Sequence, residues 1–295
     1  MATLSAAVSI RDQILPVAAG QSTFDVLAAL GVNSVEALVD PLCFVPHLRP
    51  KEGTPLSVKD DASIERLREV LQEHDVRISA ILIATDFSGD HADSHVNWAV
   101  NIIQAAAKLG VPVVRIDTWT SKRELSAAHV KQNLITRVRQ ILQRTPGAAV
   151  DLGLENHGPI SNDESFLDDV LAALSDPRVG LTLDTGNFYW YGYPLPDVCR
   201  LIEKYAPRAK HTHIKSINYP PAIAAVRREI GHEYKQCCSP LHEGNLDLKR
   251  IVAILRAAGY QRDYCIEDES LFKVPDADKL NVLRLDVKAL REALA

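Results

Sequence analysis

The feature that most constrains this chain is an alternation repeated along nearly its whole length. Short apolar runs of strand length are each followed by a longer stretch with apolar residues at helical spacing. Repeated strand–helix units produce this pattern, because parallel neighbours in a sheet need a crossover, and that crossover is usually a helix. The runs predict strands at Ile10–Val17, Glu36–Leu42, Arg77–Thr85, Val111–Trp119, Ala149–His157, Gly180–Thr185, Ala209–Ile217 and Tyr264–Glu269. Helices are predicted over Ile64–Glu73, Asn97–Leu109, Ala127–Gln143, Glu164–Leu174, Leu195–Tyr205 and Asp247–Ala258. Gly31, Gly110 and Gly259 stand where helix C-caps belong. Eight such units fit a closed (β/α)8 TIM barrel, one α/β domain over residues 1–295, better than an open doubly wound sheet. No glycine-rich phosphate loop follows the first strand.

Composition narrows the function classes. With 33 basic against 38 acidic residues and a formal net charge of −5, the chain lacks the electrostatic footprint of a nucleic-acid binder. A small sugar or a single phosphate stays within reach. Five cysteines, including the adjacent Cys237 and Cys238, have no disulfide-framework spacing, which points to a reducing, cytoplasmic setting. The mildly apolar segment Met1–Ile10 meets Arg11 and Asp12 too early for a secretory core, and no apolar run approaches the ~18 residues of a membrane span. The one long irregular stretch, Asn218–Gly244, reads as a lid-like loop after the seventh strand, on the face where barrels build their sites.

Side-chain alternation decides what faces the barrel interior. Gly153, Glu155 and His157 share a face of the fifth strand, and Thr182 and Asp184 one of the sixth. In the seventh His211, His213 and Lys215 share a face, and in the eighth Cys265, Glu267 and Glu269. Four successive strand ends thus aim ionisable groups at one mouth. Carboxylates crowded together repel one another and lose hydration, and a bound divalent cation removes that cost. Three carboxylates with one imidazole form a hard set suited to Mn²⁺, Mg²⁺ or Co²⁺, with Zn²⁺ also compatible.

The segments LGLENHG (Leu152–Gly158), LTLDTGN (Leu181–Asn187), HTHIKS (His211–Ser216), EGNLDL (Glu243–Leu248) and CIEDES (Cys265–Ser270) resemble the sugar phosphate isomerase/epimerase family. That family belongs to the xylose-isomerase-like TIM barrel superfamily, with ketose 3-epimerase, inosose dehydratase and apurinic endonuclease relatives. His95–Asp117 resembles its helix-then-strand block, and the similarity runs from about Ile10 to Ser270. The resemblance implies that Glu155, Asp184, His213 and Glu267 ligate one divalent metal ion, and that Glu155 and Glu267 are the catalytic acid/base pair. It leaves His211, deeper in the strand, as packing or support, and it implies a homo-oligomer. In one departure Asn187 stands where the family usually has histidine. An amide hydrogen-bonds a hydroxyl but does not titrate near neutrality, which weakens a multi-metal nuclease reading and the standard epimerase clamp.

Around that centre Lys215 is a candidate to hold a hydroxyl or phosphate oxygen, unless it pairs with Glu243 or Glu269. His157, Asn187 and Trp119 are candidate substrate contacts, with the aromatic run Phe188–Tyr191 beside the mouth. Arg115 and Asp117 read as a buried pair. Arg227 on the long loop is a candidate grip for an anionic group, whereas Cys237 and Cys238 read as loop packing. The leading expectation is a metal-dependent isomerase or epimerase using an enediolate on a ketose, sugar phosphate or related polyol. A dehydratase or lyase on a keto-sugar, keto-inositol or keto-glycoside, and a non-catalytic sugar-binding barrel, are the competing expectations.

Overall fold

A computed structural model describes residues 7–51 and 55–295. Residues 1–6 of the segment weighed above as a leader lie outside the described residues. Eight parallel strands close a barrel: β1 (Val8–Arg11), β2 (Ser34–Leu38), β3 (Arg77–Ile83), β4 (Val113–Ile116), β5 (Asp151–Glu155), β6 (Val179–Asp184), β7 (Ala209–Ile214) and, after a two-strand ribbon, β10 (Tyr264–Ile266). Around the ring they run β1-β10-β7-β6-β5-β4-β3-β2, so only the β10–β1 seam joins the two ends of the chain. The expected single (β/α)8 barrel is present. The first strand begins earlier than its apolar run suggested, and Asp12–Ile14 turns into a 3-10 helix.

Outside the barrel run α1 (Thr23–Leu30), α2 (Asp61–Glu73), α3 (Ala92–Leu109), α4 (Ala127–Arg144), α5 (Gly158–Ser161), α6 (Glu164–Ala173), α7 (Thr185–Trp190) and α8 (Leu195–Tyr205). Their starts follow local chemistry. Ser22 and Asp25 close a reciprocal capping box on α1, and Asp60, Ser126 and Asp163 each accept a backbone N–H at the start of α2, α4 and α6. The strands are buried on both faces, as a helix-wrapped parallel sheet requires. In β5 Leu152 and Leu154 alternate with Gly153 and Glu155, and in β6 Leu181 and Leu183 alternate with Thr182 and Asp184. Gly153 is needed where it stands, because a Cβ there would come within 2.4 Å of Thr182 Oγ1.

The stretch 218–244 is more ordered than a plain loop. It carries the one-turn helices α9 (Pro221–Ala224) and α10 (Tyr234–Cys237), and a ribbon of β8 (Ser216–Ile217) against β9 (Cys238–Ser239) ties its ends together. Cys237 and Cys238 are free thiols, as are Cys43, Cys199 and Cys265. Helix α11 (Leu248–Ala257) precedes β10, and α12 (Asp276–Leu294), which the sequence reading did not pick out, packs against α11 and α1 to finish the ring. Among the described residues no helix is long and apolar enough to cross a membrane.

Asp286 on α12 is fully buried and accepts from His242 Nδ1 at 2.7 Å. Burial, and then the neighbouring Asp268, push its carboxyl from an ordinary 3.8 up to about 7, against the pull of His242. Between those two values the folded protein keeps a proton that the unfolded chain has lost, so this site costs stability as pH rises through that window. Asp286→Asn is therefore expected to raise the thermal midpoint at pH 8 by several degrees and to change it little at pH 4.5. Equal shifts at the two pH values, followed by circular dichroism melts, would contradict this assignment.

Candidate active site

Strand parity and register bring four side chains to one level of the barrel mouth. Glu155 ends β5, Asp184 ends β6, His213 is next to last in β7 and Glu267 directly follows β10. Asp184 pairs in register with His213, and the Glu267 backbone N–H donates to Ile214 O at 3.0 Å. All four are buried, and one potential ligand atom from each lies within 4.8 Å of all the others. His213 Nδ1 faces inward, 3.1 Å from Glu267 Oε2, 3.3 Å from Glu155 Oε1 and 3.8 Å from Asp184 Oδ2.

The chemistry of this cage fits a divalent cation. Asp184 Oδ2 and Glu267 Oε2 are buried without a hydrogen bond, although Lys215 Nζ stands 3.1 and 3.3 Å from them. Buried carboxylate oxygens with no donor are costly. The set offers three oxygen ligands and one nitrogen, which suits a hard ion.

Behind the cage, His213 Nε2 lies 2.9 and 3.0 Å from the two oxygens of Glu36 in β2, and His211 Nε2 lies 3.2 Å from the same carboxylate. An Nε2–H donated to Glu36 leaves Nδ1 directed at the cage, the arrangement by which a carboxylate orients a metal-binding imidazole. Burial alone would lower the His213 pKa, but Glu36 and Glu155 outweigh it and raise it to about 9. Burial likewise pushes the Glu36 carboxyl up, and the two histidines more than reverse that.

Two arginines clamp the two glutamates. The Arg115 guanidinium binds Glu155 and also Asp117, the latter at 3.0 Å, while Arg11 binds Glu267 and reaches within 3.5 Å of Glu36. Burial raises the Glu155 carboxyl, yet Arg115 and then His213 hold it well below the usual carboxylate range. Asp184 goes the other way: burial raises it, and Lys215 only partly offsets burial and the nearby Glu155. Arg115 and Asp117 thus form the expected buried pair, with the added contact to Glu155.

Lys215 pairs with Asp184, Glu267 and Glu269, the last at 3.1 Å, and not with Glu243, which lies 3.6 Å from His242 Nε2. Asn187 is a bridge. Its Nδ2 donates to Glu155 Oε1 at 3.2 Å and to Asn156 O at 3.0 Å, and its Oδ1 accepts from Lys215 Nζ at 3.2 Å. His157 is held by Asp117 Oδ1 at 2.9 Å. Burial lowers the His157 pKa, but that hydrogen bond and charge raise it on balance. A recess of about 160 Å³ above the cage is lined by His157, Asn187, Trp190, Lys215, Tyr234 and Glu269.

The expected contacts His157, Asn187 and Lys215 therefore meet at one recess, and Trp119 lies along an adjoining groove. Arg227 is placed elsewhere. Its guanidinium lies 4.3 Å from the ring centre of Tyr193 and 5.1 Å from that of Tyr191, and it lines neither cavity. An exposed arginine finds its partner in those electron-rich faces. Arg11, Glu36, Tyr234 and the recess role of Glu269 escaped the sequence reading. For Glu36 a signal existed: it is the one charged residue in the strand SVEAL, flanked by the apolar, buried Val35 and Ala37.

A parallel eightfold barrel with a carboxylate–imidazole cluster at its C-terminal mouth defines the class. The chain belongs to the Xylose isomerase-like TIM barrel family, whose model matches residues 24–291. A stretch of 105 residues is 29% identical to inosose dehydratase of Klebsiella pneumoniae, covering 34% of this chain and 35% of that one, so the match spans about a third of the relative's length. Among solved structures the IOLI protein with a bound zinc atom has a TM-score of 0.70 at 14% identity, over 97% of this chain and 98% of that one. A xylose isomerase-like TIM barrel protein from Mycobacterium smegmatis in complex with magnesium has a TM-score of 0.67 at 19% identity, over 99% and 98%. At these identities the two structures support the fold.

The geometry behind His213 generates a direct test. Glu36→Gln removes the charge that orients the imidazole and is expected to weaken Mn²⁺ binding by roughly 10- to 100-fold, read by isothermal titration calorimetry. An unchanged affinity in a folded variant would show that Glu36 does not position His213 for a metal.

Proposed function

We propose that this chain is a divalent-metal-dependent isomerase or epimerase acting on a ketose, sugar phosphate or related polyol by moving a proton next to a carbonyl. The observation that carries the reading is the placement of Glu155 and Glu267 on either side of His213 Nδ1, each tied to its own arginine, with Asp184 completing the cage. Glu155, Asp184, His213 and Glu267 would hold the ion, with manganese, magnesium or cobalt best matched to the set and zinc also compatible. Such an ion supplies Lewis-acid stabilisation of the negative charge that builds on a substrate oxygen.

The chain's own groups do the rest. Arg115 keeps Glu155 ionised at neutral pH, and so in the form that accepts a proton. Glu267 stands across the cage, held by Arg11, where it can return a proton to the other face of the same carbon. Lys215 and Asn187 share a hydrogen bond at the recess and are placed to bind substrate oxygens in a fixed orientation. His157, oriented by Asp117, offers a further hydrogen bond at the rim.

Elimination is the second reading. It is supported by the partial likeness to inosose dehydratase and by two proton-bearing groups, Lys215 and Tyr234, in the lining of the recess. Incubating the Mn²⁺-loaded protein with a panel of ketoses and keto-inositols in deuterated water separates the two. Deuterium gained at the carbon beside the carbonyl, with the skeleton intact, is the expected result, and a product lighter by one water assigns elimination instead. Glu155→Gln and Glu267→Gln should each slow exchange by at least ~100-fold. Wild-type exchange rates in either variant would contradict the assignment, and no turnover of any panel member by a metal-loaded protein would favour a binding role.

A further inference from the structure

Beside the polar recess lies a second, larger cavity that the proposed chemistry does not use. It has a volume of about 610 Å³, runs between the loop after β4 and the start of α5, and shares His157 and Trp190 with the recess. The two spaces therefore adjoin at the barrel mouth. Their linings differ in kind. The recess presents an ammonium, a carboxylate, an amide and a phenol, the inventory that binds polyol oxygens. The groove presents Trp119, Trp190, Leu125, Pro159 and Ile160, and no carboxylate or amide side chain lines it.

The groove is built rather than incidental. Gly158, at φ +80°, lets the Trp119 ring come so close that a Cβ there would stand 2.9 Å from Trp119 Cδ1. Trp119 itself stays 40% exposed, so its ring face is open to the groove. On the other wall Trp190 is held from behind by the long loop, through the Gly231 N–H donated to Trp190 O at 2.8 Å. A volume of this size accommodates a ligand well beyond a single small ring.

We infer that the groove between Trp119 and Trp190 is an aglycone subsite, so that the preferred substrate is a glycoside carrying a flat aromatic group, with its sugar in the recess and its ring in the groove. This rests on the reading above that a carbohydrate is worked on at the cage. An aromatic ring suits the groove better than a second sugar, because indole faces and aliphatic side chains match a flat apolar body, while the hydroxyls in the lining, those of Thr118, Thr120 and Ser161, are already hydrogen-bonded within the protein. Arg123 on the rim adds a cation that a phenolic or carboxylate substituent on that ring would meet.

Calorimetric titration of the Mn²⁺-loaded full chain with phenyl β-D-glucopyranoside and with methyl β-D-glucopyranoside tests this. The phenyl compound should bind roughly tenfold or more tightly than the methyl compound. Trp119→Ala should erase that ratio. So should Ala127→Phe, which fills the groove from the exposed first position of α4, and both variants should keep the wild-type thermal midpoint. Equal affinities in the wild type, no binding of the phenyl compound, or a preference that survives both variants would overturn the subsite. The Mn²⁺ titration that precedes the sugars is read separately. Failure to bind the ion overturns the metal reading, whereas the phenyl-to-methyl ratio, measured with or without the ion, decides the groove.

Discussion

The constraint on which the rest of this structure depends is charge compensation at the barrel mouth. Glu155, Asp184 and Glu267 are buried side by side, with Glu36 one layer behind. Burying four carboxylates in an apolar barrel is affordable only if cations are built in around them. Arg11 from β1, Arg115 from β4, and His213 and Lys215 from the end of β7 provide them. This compensation is nevertheless incomplete, since one oxygen each of Asp184 and Glu267 makes no hydrogen bond and meets Lys215 Nζ only as an ion pair. A divalent ion is the simplest group that completes it.

Much of this was legible in the sequence, and the physical reason is the period of two along a strand. That period put Glu155, Asp184, His213 and Glu267 on inward faces at strand ends, and the alternation of strand and helix implied the ring that brings those ends together. What escaped depends on closure. Glu36 meets His213 across 177 residues of chain, and Arg11 meets Glu267 only because β1 seals against β10. No local spacing encodes such contacts. Glu36 left a trace as the lone charge in its strand, while Arg11 stood at the end of a strand whose register the apolar run misplaced.

The long segment after β7 marks another limit. Its one-turn helices are too short to show helical periodicity, so it read as a loop, and Arg227 read as free to grip an anion. In the structure Arg227 rests on Tyr193 and Tyr191, and the neighbouring Arg228 lies between the rings of Tyr189 and Tyr219. The arginines of this segment pin it to α7 and the turn that follows it, away from the recess that Lys215, Asn187 and His157 line. Asn187, the departure from the family pattern, acts as a connector: it joins Glu155 to Lys215 by hydrogen bonds where a histidine would have brought a titrating group.

The central claim is that the four strand-end residues form a single divalent-metal centre. Anomalous diffraction at the manganese edge, from crystals grown with MnCl₂, tests it most directly. The account predicts one strong peak inside the cage, bonded to Glu155, Asp184, Glu267 and the Nδ1 atom of His213, with Glu36 still on Nε2. A cage without a peak at saturating Mn²⁺, or a peak held by Glu36 and His211 instead, would contradict it.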